Sequence, residues 1–184
     1  MNAFWTYFWP PLGAGLVIGI IAGAFTFRVR IVRVRERPHE PDLIPPPRQR
    51  QALALGIGLV ASIAAAVLWH GPLGAADRFS SEVERYAHEV LVENYAPAGM
   101  TARIHHGPLT RQLMLSGPGD DFQRSEAARL LSQVPGVSDA SWTPALGIPL
   151  IAQGAITAVM GFLLGVLVAY LLELRRRHNS QWNW

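Results

Sequence analysis

The stretch QALALGIGLVASIAAAVLWHGPLGAA, residues 51–76, contains no Asp, Glu, Lys or Arg. Residues 1–27 and 140–172 are equally free of those four types. A helix needs about 20 mostly apolar residues to cross the hydrocarbon core of a bilayer, and each stretch has room for them. The pattern predicts transmembrane helices over residues 1–27, 52–70 and 147–173, with a loop at 28–51 and a tail at 174–184. Residues 78–143, between the second and third spans, are polar and long enough to form a small folded domain.

Charge is scarce and unevenly placed. Only 16% of the 184 residues are charged, and all 16 cations are Arg. Residues 28–50 hold seven Arg and three acids, and Arg175, Arg176 and Arg177 follow the third span. Residues 70–147 hold six Arg against nine acids, a net of −3. The formal charge of +3 therefore comes from the membrane flanks. It argues against nucleic-acid binding, which needs cations gathered on one exposed face of a domain. The chain has no Cys, which excludes disulfides, zinc–thiolate sites and a thiol nucleophile.

Cytoplasmic loops collect Arg and Lys near the ends of spans. The loop at 28–51 and the tail carry that excess. This predicts a bacterial inner-membrane protein with its N-terminus outside, its C-terminus in the cytoplasm and the central domain in the periplasm. The first segment lacks a positive leading region and a small-residue cleavage site, and it runs into a basic stop. It reads as an uncleaved span, not a signal peptide. Phe4, Trp5, Tyr7, Phe8 and Trp9 at one end of the first span, Trp69 at the end of the second and Trp142 before the third suit the headgroup layer.

Gly15, Gly19 and Gly23 recur every fourth residue and share one helical stripe. Gly154, Gly161 and Gly165 repeat the theme in the third span, and Gly56, Ala61, Ala64 and Ala65 do so in the second. Such stripes let helices approach closely, either among these three spans or against another membrane protein. Ser62, Gln153 and Thr157 are the polar groups read at depth. The lack of ionisable residues there argues against a pump or proton-coupled carrier.

Residues 27–37, FRVRIVRVRER, read as a span continuing past the membrane surface. Val29, Ile31 and Val32 would be buried while Arg28, Arg30, Arg33 and Arg35 reach lipid headgroups, as Arg175, Arg176 and Arg177 would from the tail. The same arginines also serve as a plain topology signal. Residues 38–47, PHEPDLIPPP, contain five prolines and predict an extended, semi-rigid connector.

In the polar segment, Phe79, Val83, Tyr86, Ala87, Val90 and Leu91 fall on one helical face. Ser81 and Glu84 have the spacing of a capping box near a helix start, and Asn94 and Pro97 suggest its end. Met100, Ala102 and Ile104 alternate with polar residues, as a half-buried strand requires. After a Gly107-Pro108 turn, Leu113 and Leu115 mark a second strand. Asp120 or Asp121 suits the cap of a second helix with Phe122, Ala127, Leu130, Leu131 and Val134 on its apolar face. A third strand is expected at 137–142. The order αββαβ predicts an α+β unit with two helices on one small sheet.

The stretch Leu113-Met-Leu-Ser-Gly117, a helix, and then Val134-Pro-Gly-Val137-Ser-Asp-Ala140 resembles the BON (bacterial osmotic and nodulation) domain. The resemblance covers residues 79–142 and does not extend to the spans. It implies an αββαβ fold in an envelope setting, a role in binding phospholipid or another envelope component, and no catalysis. Gly107 lies ten residues before Gly117, a longer hairpin than is usual in that family.

No residue set reads as catalytic. His105 and His106 are adjacent on a strand and point to opposite faces, so they do not readily share a metal. Asp120-Asp121 is explained by a helix cap, and His70 beside Trp69 reads as an interfacial histidine bonded to water. No P-loop, nucleophile elbow or zinc-helix motif is present in the sequence. No cofactor or metal is expected. The chain reads as a non-enzymatic accessory or scaffold protein. Its spans would dock on a larger membrane complex, and its BON-like domain would bind a protein partner or lipid. An envelope phospholipid-binding protein and a small oligomeric channel are the alternatives. Membrane lipids and other membrane subunits are the expected partners, not nucleic acid.

Overall fold

The structure, a computed structural model, describes residues 3–32, 42–94, 96–144 and 147–182. Its elements in chain order are α1 (Ala3–Phe27), β1 (Arg30–Val32), β2 (Asp42–Ile44), α2 (Arg48–His70), α3 (Ala75–Glu93), β3 (Thr101–His106), β4 (Leu109–Ser116), α4 (Asp121–Leu131), β5 (Asp139–Ser141) and α5 (Leu150–Trp182). Helices α1, α2 and α5 are long and apolar enough to cross a membrane. The chain divides into two compact units, Met1–Pro10 with Val67–Gly154, and Pro11–Ala66 with Ala155–Trp184.

In the first unit, α3 and α4 accompany a three-stranded sheet of order β3-β4-β5. Strands β3 and β4 are antiparallel, with Ile104 opposite Leu113, and β5 joins parallel to β4, with Ala140 opposite Leu113. Leu113 thus sits on the central strand and is fully buried. Phe79, Val83, Ala87 and Leu91 of α3 pack with Leu113, Leu115 and Leu131 in a core that also takes in Ala3, Tyr7 and Phe8 of α1 and Leu150 of α5. Full burial of a Leu or Phe side chain contributes about 1.5–3 kcal/mol, so the span ends are part of the domain's core. Gly136, with φ at +105°, turns the chain after α4. A Cβ there would press on Phe79 and Val83.

Two expectations for this unit need correction. Helix α3 starts at Ala75, after Gly74 and without a side-chain cap. Ser81 lies inside it and donates to the Arg78 carbonyl, because the apolar face already begins with buried Ala75 and Phe79. Phe122 leaves the apolar face of α4 and is 76% exposed. It falls on the first turn, whose direction is set by Asp120. The Asp120 carboxylate accepts from the Gln123 amide, and the Gln123 side chain accepts from the Asp120 amide.

In the second unit, α1 and α5 run parallel at close range. A Cβ added to Gly15 or Gly19 would strike the carbonyl of Ala158 or Phe162, and one added to Gly161 or Gly165 would strike that of Leu12 or Leu16. Gly58 of α2 faces Ala22 and the Phe162 ring. Helix α1 stops at Phe27, where the first span was expected to end, and the reading in which it continues past the membrane surface through Val32 is corrected. Residues Arg30–Val32 pair with Asp42–Ile44 in an antiparallel ribbon, alternate residues of a β-branched run being better suited to a strand. Within the proline-rich connector, residues 42–44 form that second strand and residues 38–41 lie outside the described set. Helix α2 starts at Arg48, before the expected position 52. Helix α5 continues to Trp182, so much of the expected tail is helical.

Candidate functional site

Two clusters stand out, one in each unit. The first joins the domain to the ends of the long helices. Pro11 has no amide to bond the Tyr7 carbonyl one turn earlier, and Trp69 of α2 donates its indole N–H to that carbonyl at 2.9 Å. The Tyr7 hydroxyl lies 2.5 Å from His70 Nδ1, with the two rings edge to face. The same ring meets Phe79 of α3 at 5.6 Å between centroids. His70 therefore has a tyrosine partner where water was expected.

Arg111 of β4 completes this cluster. Its Nε donates to the Gly136 carbonyl at 2.7 Å, its Nη1 reaches Gln153 Oε1 of α5 at 3.4 Å, and its guanidinium sits 4.9 Å over the Phe4 ring of α1. The Arg111 carbonyl accepts from the Ser138 amide at 2.8 Å. Burial pushes the Arg111 pKa down from its ordinary value, but a guanidinium remains protonated in proteins. One cation thus links the central strand, the turn after α4 and two of the long helices. Half-buried cation–π contacts of this kind contribute between about 0.5 and 2 kcal/mol.

The second cluster closes the bundle at the end that carries the arginines. Glu173 of α5 is 8% exposed. It accepts from the Val29 amide at 3.2 Å, Arg176 at 3.3 Å and Arg177 at 3.4 Å. Arg177 in turn donates to the Phe27 carbonyl at 2.9 Å. The last turn of α1 therefore finds its hydrogen-bond partners on α5. Thr26 and Ser62 satisfy their hydroxyls on the carbonyls four residues back, Ala22 and Gly58.

The residues nominated from sequence are distributed as follows. Gly15, Gly19, Gly23, Gly161 and Gly165 lie in the α1–α5 contact. Arg28 and Arg176 meet Arg50 around a groove, whereas Arg177 turns to α1 and Arg175 is exposed. Arg30 lies on β1, and Arg33 and Arg35 are outside the described residues. His105 approaches the Pro108 carbonyl and His106 lies 3.9 Å from Glu84, so they have separate partners. Among the described residues no group of three His, Cys, Asp or Glu is placed to hold a metal.

Sequence reasoning placed Tyr7 in the headgroup layer, whereas it is buried in the domain's core, and missed Arg111 and Glu173. Pro11 was the available signal for Tyr7, since a proline inside a helix frees a carbonyl that needs a donor. Glu173 sits where a charge-free run meets three arginines, a position that suits a buried ion pair. Arg111 gives no signal, because nothing local distinguishes it from the other arginines of the domain. Comparison with protein-family models, with characterised proteins and with solved structures finds no match for the chain.

Proposed function

We propose that the chain is a non-enzymatic accessory protein of a bacterial inner membrane, in which three spans anchor a BON-like periplasmic domain that binds a partner. The observation that carries this reading is the cluster around Arg111, Tyr7, Trp69 and His70. The join from α2 to α3 is four residues long, Gly71–Gly74, and is hydrogen-bonded through the Gly71, Leu73 and Gly74 amides. Such a join makes the ends of the long helices part of the folded domain that would meet a partner.

The order αββαβ supports the BON-like reading. So do the Gly117 and Gly136 turns, at φ +120° and +105°. The arginines grouped at one end of the bundle support an inside position for that end. Because Gly15, Gly19, Gly161 and Gly165 face one another within the chain, a larger complex would meet the outward faces of the helices. Leu53, Ile57 and Val60 of α2 are exposed there.

Purification of tagged full-length chain from its native membrane in mild detergent tests the proposal. Co-purification of one or more partners in stoichiometric amount is expected, and Arg111→Ala should lower their recovery without removing the chain from the membrane. Recovery of the wild type as a lone monomer would overturn the reading.

A further inference from the structure

The bundle carries a feature that no partner protein is needed to explain. Two open grooves of about 670 and 580 Å³ flank the arginine end of α1. They share Ile21, Phe25 and Arg50, which form a ridge between them. Ile20 and Ala24 line the first groove, and Ile18, Leu53 and Ile57 line the second. Arg28 and Arg176 rim the first groove beside Arg50. The result is one cluster of cations from which two apolar channels lead away along the helices.

Among the described side chains, the charges at that cluster are not balanced from within: the carboxylate in ion-pair range is Glu173, which Arg176 shares with Arg177. Arg50 lies in the first turn of α2, a turn with no acid. There the helix dipole disfavours a cation and favours an anion. Arg50 turns to the Phe25 ring, 5.9 Å away, and Phe25 is itself 56% exposed. Guanidiniums complement a phosphate oxyanion in sign of charge and in hydrogen-bonding geometry, Arg28 and Arg50 having no carboxylate in ion-pair range among the described side chains, and the paired channels match two hydrocarbon tails.

We propose that this end of the bundle binds one anionic diacyl phospholipid. Its phosphate lies among Arg28, Arg50 and Arg176, and its two acyl chains lie on either side of the Phe25–Ile21 ridge. The inference rests on the helices crossing a bilayer and not on the domain having a partner.

Native mass spectrometry of the full chain in mild detergent tests it without any other protein. Titration with phosphatidylglycerol and phosphatidylcholine of identical acyl chains should show one phosphatidylglycerol retained, at least tenfold more tightly than phosphatidylcholine. Each cation removed should weaken retention by roughly fivefold, so Arg28→Gln with Arg50→Gln should bring the two lipids close together. Arg28→Lys with Arg50→Lys should keep most of the preference. Phe25→Ala should weaken both lipids alike. Equal retention of the two lipids by the wild type, or an unchanged preference in the double Gln variant, would overturn the proposal. Displacement of phosphatidylglycerol by millimolar inorganic phosphate would also overturn it, since it would mark a site for a free anion. If the Gln variant loses its helical circular dichroism, the wild type and the Lys variant still decide the matter.

Discussion

Pro11 and Trp69 stand 58 positions apart in the sequence, yet the second answers a deficit created by the first. The Tyr7 carbonyl loses its helical donor at Pro11 and gains the Trp69 indole N–H. Trp69→Phe keeps an aromatic ring and deletes only that donor. Leaving a buried acceptor unpaired costs about 1–3 kcal/mol, so the variant should melt at lower temperature in detergent by that margin. Unchanged melting would show that another group takes over the carbonyl. Glu173 makes the same argument at the opposite end of α1. Glu173→Ala removes the acceptor for the Val29 amide and for two arginines, and should destabilise the chain by at least as much as Trp69→Phe. Glu173→Gln retains one acceptor oxygen for Val29 and should fall between wild type and Ala on the same thermal scale.

At the scale of elements, the α1–α5 contact makes a sharp contrast between glycines. Gly19 faces a backbone carbonyl, which cannot move aside as a side chain can, whereas a Cβ on Gly56 of α2 would meet nothing within 4 Å. Gly19→Leu should cost at least the roughly 1–3 kcal/mol typical of overpacking, read as loss of the folded band in mild-detergent melting. Gly56→Leu should change stability by less than about 0.5 kcal/mol. Equal effects would mean that the two helices do not meet as described. Helices α1 and α5 were largely legible in the sequence, because charge-free runs and a four-residue glycine period report directly on solvent and on close approach, whereas in α2 the buried face is Gly58, Ser62 and Ala66 and not the expected Gly56, Ala61, Ala64 and Ala65. The αββαβ order was legible for a similar reason: the alternation of Ile104, Leu113 and Leu115 matches their burial. The start of α3 was not. Ser81 and Glu84 have the spacing of a cap, but tertiary burial of Ala75 and Phe79 extends the helix by more than a turn before them. Nor was the β1–β2 ribbon, since the partner of Arg30–Val32 lies across a proline-rich loop and strand pairing across such a loop leaves no local period. The Arg111 cluster is invisible in sequence for the same physical reason, being made wholly of contacts between distant segments.

At the scale of the molecule, the decisive quantity is which side of the membrane each end of the bundle faces. The three long helices leave Arg28, Arg50 and Arg176 around one groove, and the proposed orientation, which follows the positive-inside tendency, has that cluster on the cytoplasmic side. The domain follows α2 and precedes α5, so the same proposal, with three crossings, expects it on the periplasmic side. The absence of cysteine makes this directly measurable, since any introduced thiol is unique in the chain. Ser125 on α4 and Asn179 near the end of α5 are both exposed and suit single replacements. In spheroplasts whose inner membrane is intact, Ser125→Cys should react with a membrane-impermeant maleimide, whereas Asn179→Cys should react only after detergent is added. The reverse pattern would invert the orientation and move the arginine groove to the outer leaflet. Labelling of both thiols in sealed cells would mean that fewer than three helices cross, because a free thiol on a protein chain reacts wherever the reagent reaches it. That result would remove the common basis of the partner-binding reading and the lipid-groove reading. Labelling of Ser125→Cys alone would leave each to be decided by its own experiment.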